Sequence, residues 1–128
     1  MCIRDRSIPL THLAAGWSQL RNRGAGRRLL EAMASEPFLV AGSGRACTRL
    51  MESAGGTAVV KTGAEGVFCG IDLREGFAFA LKARDGHPRA AEIAAEWLLD
   101  LLGSVEHASP KPLTNWVGSN VGEIRVGS

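Results

Sequence analysis

The sequence predicts an α+β fold, with an antiparallel sheet flanked by helices. Three observations predict it. Apolar residues recur at helical spacing before residue 55 and again after residue 88. Between these stretches, apolar and β-branched residues form three short runs separated by glycine-containing turns. With 128 residues, of which 45% are hydrophobic and 22% charged, the chain can form one domain with a buried core.

The helices are predicted from apolar spacing and from the residues that end them. Their predicted ranges are 9–22, 25–35, 45–53 and 89–102. Pro37 ends the second helix, and Gly103 caps the fourth. In the fourth helix we expect one apolar stripe to face the sheet, formed by Ile93, Trp97, Leu98, Leu101 and Leu102.

The strands are predicted at residues 57–61, 66–73 and 76–84. Arg74-Glu75-Gly76 predicts a tight reversal, and the alternation that begins at Phe77 has the period of an antiparallel strand. After a connection that contains Pro110 and Pro112, a final short strand is predicted at residues 121–126. Such a small sheet leaves unpaired edges that can contact neighbouring protein.

Charge and hydropathy argue against two classes of partner. The net charge of +2 comes from interspersed signs. The basic cluster between positions 21 and 28 holds four arginines without aromatic residues, so we expect no nucleic-acid partner. No apolar run is long enough to cross a bilayer, so we expect no membrane partner.

The cysteines and histidines favour a protein without disulfides or metal. Cys2, Cys47 and Cys69 are odd in number and lack Cys-x-x-Cys spacing, which favours a reducing, cytoplasmic environment. Cys47 and Cys69 are most simply small buried hydrophobic residues. The histidines, His12, His87 and His107, are far apart and pair with no cysteine at ligand spacing, so we expect no structural zinc. We assign no metal ligand and expect no cofactor, while metal use is left open.

The most informative segment is Thr57-Ala-Val-Val-Lys61-Thr62-Gly63-Ala64-Glu65-Gly66, in which an apolar run is followed directly by a lysine. A lysine at the end of a buried strand is costly to desolvate unless it has a task or a partner. The Lys-Thr-Gly element of serine acyl-transfer enzymes has this layout. The simpler interpretation is a strand end that runs into a turn. Glu65 is either a solvated turn acid or a group that neutralises Lys61.

A second candidate is Arg45, which follows the glycine-rich segment Ala41-Gly-Ser-Gly44. Its guanidinium could bind a substrate carboxylate through two parallel hydrogen bonds. An ion pair between Arg45 and a helix or surface acid is an equally good interpretation.

Together these segments resemble the asparaginase II family, which is related in design to serine β-lactamases and glutaminases. The resemblance rests on Ile8-Pro-Leu10, on residues 33–51 with Val-Ala-Gly-Ser-Gly-Arg45, on Val60-Lys-Thr-Gly-Ala-Glu-Gly-Val67, and on the closing segment Asn115-Trp-Val-Gly-Ser-Asn-Val-Gly-Glu-Ile-Arg125. It covers residues 8–128, which correspond to about the last third of a family member. It implies part of a β-lactamase/glutaminase-like fold and hydrolysis of L-asparagine to L-aspartate and ammonia.

The resemblance also implies site roles. Members use serine–lysine pairs, and Lys61 matches one of the catalytic lysines, so we expect its ammonium in a sheltered cleft. Thr62 and Gly63 would shape the pocket wall, and Arg45 would give structural support or bind the substrate carboxylate. The family's nucleophilic Ser-x-x-Lys is missing, because no serine here has lysine three residues later. The family's metal-binding segment is missing as well, so no metal is carried over.

These departures predict that the chain is an inactive C-terminal fragment whose partner is the missing N-terminal part of the same protein. Residues 1–7 lack any period and are expected to be a non-native leader, with the asparaginase II-like domain at residues 8–128. Two alternatives remain: a fragment of a β-lactamase or penicillin-recognising serine enzyme, and a non-catalytic α+β interaction domain. Preference between asparagine and glutamine and a homo-oligomeric state are left open.

Overall fold

The computed structural model describes residues 7–106 and 110–127, so Cys2, His107 and most of the expected leader lie outside the described residues. The elements in chain order are α1 (Leu10–Leu20), α2 (Gly24–Ser35), α3 (Pro37–Ala41), α4 (Ala46–Ser53), β1 (Ala58–Thr62), β2 (Val67–Asp72), β3 (Ala78–Lys82), α5 (Pro88–Leu101), β4 (Lys111–Thr114) and β5 (Asn120–Ile124). The predicted α+β class is confirmed.

Strands β1, β2 and β3 form an antiparallel sheet in that order, as the alternation predicted. Across the middle of the sheet, Val60 is paired with Gly70, and Gly70 with Phe79. A Cβ atom added at Gly70 would lie 2.7 Å from side-chain atoms of both neighbours. Glycine at this position therefore makes room for the Phe79 ring on a crowded face of the sheet.

Helices pack against the sheet and bury its centre. Helix α1 contacts β3 and β2, α4 contacts β1, and α5 contacts β2. The fully buried side chains at these contacts include Leu30, Leu50, Met51, Val59, Val60, Phe68, Ile71 and Leu99. Burial of this apolar surface is the main force that holds the layers together.

The segment after Pro37 differs from the sequence prediction, because it forms the short helix α3. Proline suits the first position of a helix, where its missing N–H has no partner to lose. Gly42, with φ of 85°, ends the helix. The Thr48 hydroxyl donates a hydrogen bond to the Gly42 carbonyl at 2.7 Å, which joins the end of α3 to α4.

The predicted sheet-facing stripe of α5 is wrong in part. Ile93 is buried, but Trp97 is 41% exposed and Leu101 is 69% exposed. The residues that α5 buries also include Ala91, Ala95 and Leu99, which recur every four positions. Small alanines allow a helix axis to lie close to a sheet, so α5 is oriented with its alanines toward the core. The larger Trp97 then lies at the edge of the core, partly exposed to solvent.

The predicted final strand exists as β5, but its partner β4 was not predicted. The two strands form a separate antiparallel pair, with Lys111 opposite Ile124 and Pro112 opposite Glu123. A proline within a run normally indicates a connection, and here it is tolerated because β4 has a partner on one side only within its two-stranded sheet. The ammonium of Lys111 contacts Glu96 at 2.8 Å, which ties this hairpin to α5.

Candidate functional site

The candidate site lies where β1 ends and turns into β2. The Gly63 amide donates to the Val67 carbonyl at 2.8 Å, and the Val67 amide donates to Ala64 at 3.2 Å. The two residues between have left-handed φ values, 54° at Glu65 and 71° at Gly66, as in a type I′ hairpin turn. A Cβ added at Gly66 would lie 2.8 Å from the Cβ of Ala83, so the turn packs tightly against the end of β3.

Lys61 lies on the exposed part of this hairpin. Its Nζ atom donates a hydrogen bond to the carbonyl oxygen of Thr62 at 2.7 Å, and its side chain is open to solvent. The expected sheltered cleft is therefore not formed by the described residues. Glu65 is also exposed, and no ion pair among the described residues joins it to Lys61. This arrangement favours the interpretation of Glu65 as a solvated turn acid.

Cys47, in the first turn of α4, is the point where the predicted residues meet. The Thr62 amide donates to its Sγ atom at 3.2 Å. Burial raises the pKa of the Cys47 thiol, while the Thr62 hydrogen bond and the positive charges of Lys61 and Arg45 oppose that rise. The Thr62 hydrogen bond thus joins the strand end that carries Lys61 to the start of α4, where Arg45 precedes Cys47 by two residues.

Arg45 precedes α4 in the N-cap position, with an exposed side chain. Within the described part of the chain no carboxylate lies at ion-pair distance from it, so the predicted alternative of a surface ion pair is not realised there. Gly63 follows Thr62 at the strand end, and an added Cβ there would lie 3.1 Å from the Val67 Cβ. An alanine at Gly63 would crowd the base of the turn.

Glu92 is a neighbour of the site that the sequence analysis missed. It lies on α5, and its negative charge acts on the Cys47 thiol against the effect of Lys61 and Arg45. Glu92 is 45 positions from Cys47 in sequence. The Arg49–Glu96 ion pair at 3.0 Å joins α4 to α5, and no local sequence pattern indicates that the two helices come close.

The cysteines fit the predicted role of small buried hydrophobic residues. Cys69 lies opposite Lys61 in the sheet register, and burial raises the pKa of its thiol. Cys47 is 1% exposed. Since a thiolate is the nucleophilic form, raised pKa values leave both sulfurs protonated and unreactive at neutral pH. The site thus presents two exposed cations, Lys61 and Arg45, but no activated nucleophile of its own among the residues described.

In residues 7–106 and 110–127, no group of three or more histidine, cysteine or acidic side chains could hold a metal ion. None of the helices in these same ranges is long and apolar enough to cross a membrane.

A family model described as L-asparaginase II matches residues 5–126, nearly the whole chain. The chain belongs to this family. The match includes all the segments on which the resemblance rests, among them Arg45 and the Lys61-Thr62-Gly63 element. No curated protein sequence matches the chain. Membership in the L-asparaginase II family supports an asparaginase-type hydrolase acting on a small molecule.

Proposed function

We propose that this chain is the C-terminal part of an amidohydrolase that converts L-asparagine to L-aspartate and ammonia. The observation that carries the proposal is the L-asparaginase II match over residues 5–126. The nucleophilic serine and its lysine belong to protein outside this sequence, because no serine here is followed by lysine three residues later. The chain itself supplies Lys61, and the proton transfer proposed for Lys61 uses no cofactor.

Lys61 is proposed as the catalytic lysine that assists the absent serine. A serine hydroxyl is a weak nucleophile until a nearby base takes its proton. In the chain as described, water surrounds the Lys61 ammonium, and its hydrogen-bond partner is the adjacent main-chain carbonyl. A protein surface that covers Lys61 would remove this water, and desolvation favours the neutral amine that can accept a proton.

Arg45 is proposed to bind the carboxylate of the substrate. Its guanidinium is exposed and, among the described residues, unpaired, so its hydrogen-bond donors are available to a bidentate ligand. Thr62 and Gly63 line the same strand end and would form the adjoining wall. Arg45 and Lys61 both act on Cys47, which supports one shared site.

Exposed apolar side chains support the proposal that more protein covers this chain. Phe38 and Leu39 of α3 are largely exposed, and so are Trp116 and Val117 between β4 and β5. Adjacent exposed apolar residues are typical of surfaces that contact other protein. We propose that the serine-bearing part of the enzyme is the protein that covers these residues.

We also propose that the enzyme lies in the cytoplasm. The free, buried thiols of Cys47 and Cys69 support such a reducing environment.

The proposal is tested with Lys61→Ala in a protein that also contains the Ser-x-x-Lys segment. We expect ammonia release from L-asparagine to fall by about 10²–10⁴-fold, the usual loss when a general base is removed. Folding should be unchanged because the side chain is exposed.

Lys82→Ala is the matched control. Lys82 ends β3 of the same sheet, is exposed, and donates to the adjacent Ala83 carbonyl at 2.8 Å, just as Lys61 donates to Thr62. It should retain activity. Equal activity of the two variants would contradict the role of Lys61. Ammonia release by the 128-residue chain alone would contradict the proposal that its nucleophile lies elsewhere.

A further inference from the structure

A cavity of about 400 Å³ lies beside the connection between α1 and α2, away from the strand end that carries Lys61. Its lining combines hydrogen-bond donors with two apolar side chains and comprises Arg21, Asn22, Arg27, Leu30, Glu31 and Leu73. The volume falls within the range of about 300–1,000 Å³ that is typical of small-molecule sites. A mixed lining of this kind suits a ligand with one charged end and one apolar part.

The cavity lining carries two arginines, Arg21 and Arg27, and one carboxylate, Glu31. Four arginines, at positions 21, 23, 27 and 28, fall within eight residues. Arg27 pairs with Glu31 at 2.9 Å, whereas the other three have no acidic partner among the residues described. The first turn of α2 also carries no acidic side chain. Glu31 offsets Arg27, so among the described residues Arg21 is the unpaired cation of the lining, and the net positive charge attracts anions.

Arg21 is held in place by a close contact with the turn between β2 and β3. A Cβ added at Gly76 would overlap Nη1 of Arg21 and would lie 2.8 Å from its Cζ. The Ser18 hydroxyl donates to the Gly76 carbonyl at 3.3 Å and fixes α1 to the same turn. Because the guanidinium lies directly against backbone, it loses less side-chain freedom when it binds a ligand.

The backbone segments that carry Arg21 and Arg27 are in close contact. Gly26, in the first turn of α2, is buried, and a Cβ added there would lie 2.9 Å from the Leu20 Cα. The end of α1 and the start of α2 are therefore in backbone contact. This contact fixes the spacing between Arg21 at the end of one helix and Arg27 in the next.

We propose that this cavity binds a small molecule that carries a phosphate ester or diphosphate group. The planar guanidinium donates two parallel hydrogen bonds to phosphate oxygens. Arg21 is in no ion pair among the described residues, and Glu31, the carboxylate of the lining, is paired with Arg27. Leu30 and Leu73 contact the uncharged part of the ligand. A nucleic acid is disfavoured because no aromatic side chain lines the cavity for base stacking.

The test is calorimetric titration of the full chain with inorganic pyrophosphate and with ADP, at constant ionic strength. We expect saturable binding at one site, weakened by at least about tenfold in Arg21→Gln, the usual effect of losing a charge-assisted hydrogen bond. Arg28→Gln is the matched control, because Arg28 belongs to the same basic cluster but does not line the cavity. The affinity of the Arg28→Gln variant for either probe should change by less than about threefold, because a distant charge is screened.

Three results would overturn the proposal. One is the absence of saturable binding of either probe to the unaltered chain. Another is equal weakening in Arg21→Gln and Arg28→Gln, which would indicate diffuse attraction to the cluster rather than a site in the cavity. The third is tighter binding of a duplex oligonucleotide than of ADP, since that result would identify a nucleic-acid surface. None of these measurements depends on amide hydrolysis, so they leave the proposed function separately testable.

Discussion

Asp72 is the buried carboxylate whose loss should most affect stability. It lies at the end of β2 and is 1% exposed. Arg74 donates to it from Nη2 at 2.7 Å, from Nε at 3.2 Å and from its amide at 2.9 Å. The Glu75 amide at 2.9 Å and the Ser104 hydroxyl donate to it as well. One carboxylate therefore joins the β2–β3 turn to the residues that follow α5.

Asp72→Asn keeps the shape of this side chain but removes its charge and replaces one acceptor oxygen with a donor. Hydrogen bonds to charged groups contribute about 1.5–3 kcal/mol each. The Arg74 side chain is nearly half exposed, so water offsets part of that loss. We therefore expect the free energy of unfolding at pH 7 to fall by about 2–3 kcal/mol, near the lower end of the range for breaking a buried pair.

The pH dependence provides a second measurement. Burial opposes ionisation of Asp72, but hydrogen bonds from Arg74, Ser104 and the Glu75 amide outweigh it, so the pKa of this carboxyl is lowered from its ordinary value. A lowered pKa in the folded state stabilises the fold fully above the unfolded value of about 3.9. That contribution is lost as the pH falls through the folded pKa. The difference between Asp72→Asn and the unaltered chain should therefore shrink below about pH 4.

The assay is urea unfolding followed by circular dichroism at pH 7 and at several values below pH 4. Asp85→Asn is the control, because Asp85 is exposed and accepts one hydrogen bond, from the His87 amide at 3.0 Å. It should change stability by about 0.5 kcal/mol or less. If the two variants are equally stable at pH 7, the reasoning about the buried network is refuted. A loss in Asp72→Asn that stays constant down to the lowest pH would assign the effect to packing rather than to charge.

Two further predictions concern α5. Leu99→Ala should lower the free energy of unfolding by about 2–5 kcal/mol because Leu99 is fully buried. Leu101 is exposed, so Leu101→Ala should lower it by less than about 1 kcal/mol. Equal losses of stability in thermal unfolding would contradict this assignment and favour the apolar stripe that the sequence predicts. Glu96, which is 7% exposed, contacts Arg49 at 3.0 Å and Lys111 at 2.8 Å. Glu96→Gln should therefore lower the free energy of local opening of the β4–β5 hairpin by about 1–3 kcal/mol. Unchanged hydrogen exchange of the hairpin amides would contradict this role.

Most of the main sheet was predictable because its signals are local. The alternation from Phe77 and the reversal at Gly76 require only neighbouring residues, and both were confirmed. The helix at Pro37 and the strand at Pro112 were missed for a shared reason. By sequence, Pro37 predicts the end of a helix and Pro112 predicts a connection, but proline also suits the first turn of a helix and a strand with one free edge.

The roles of the predicted site residues stay predictions, whereas their surroundings are a finding of the structure. Motif spacing predicts Lys61 and Arg45, and the structure places Arg45 at the start of α4 and Lys61 beside Thr62, whose amide donates to the Cys47 sulfur. Their exposure was not predicted. Whether a strand-end lysine is covered depends on elements distant in sequence, and the described residues leave it in water.

The sequence by itself determined the α+β class, the antiparallel sheet and the family, because these depend on periodicity and on motifs read along the chain. Only the tertiary structure decided the order of the strands, which face of α5 is buried, how Arg49 pairs with Glu96, and how Arg21 comes to lie on Gly76. These contacts join residues far apart in the chain. Their geometry follows from the close packing of whole helices against the sheet, which local sequence patterns do not specify.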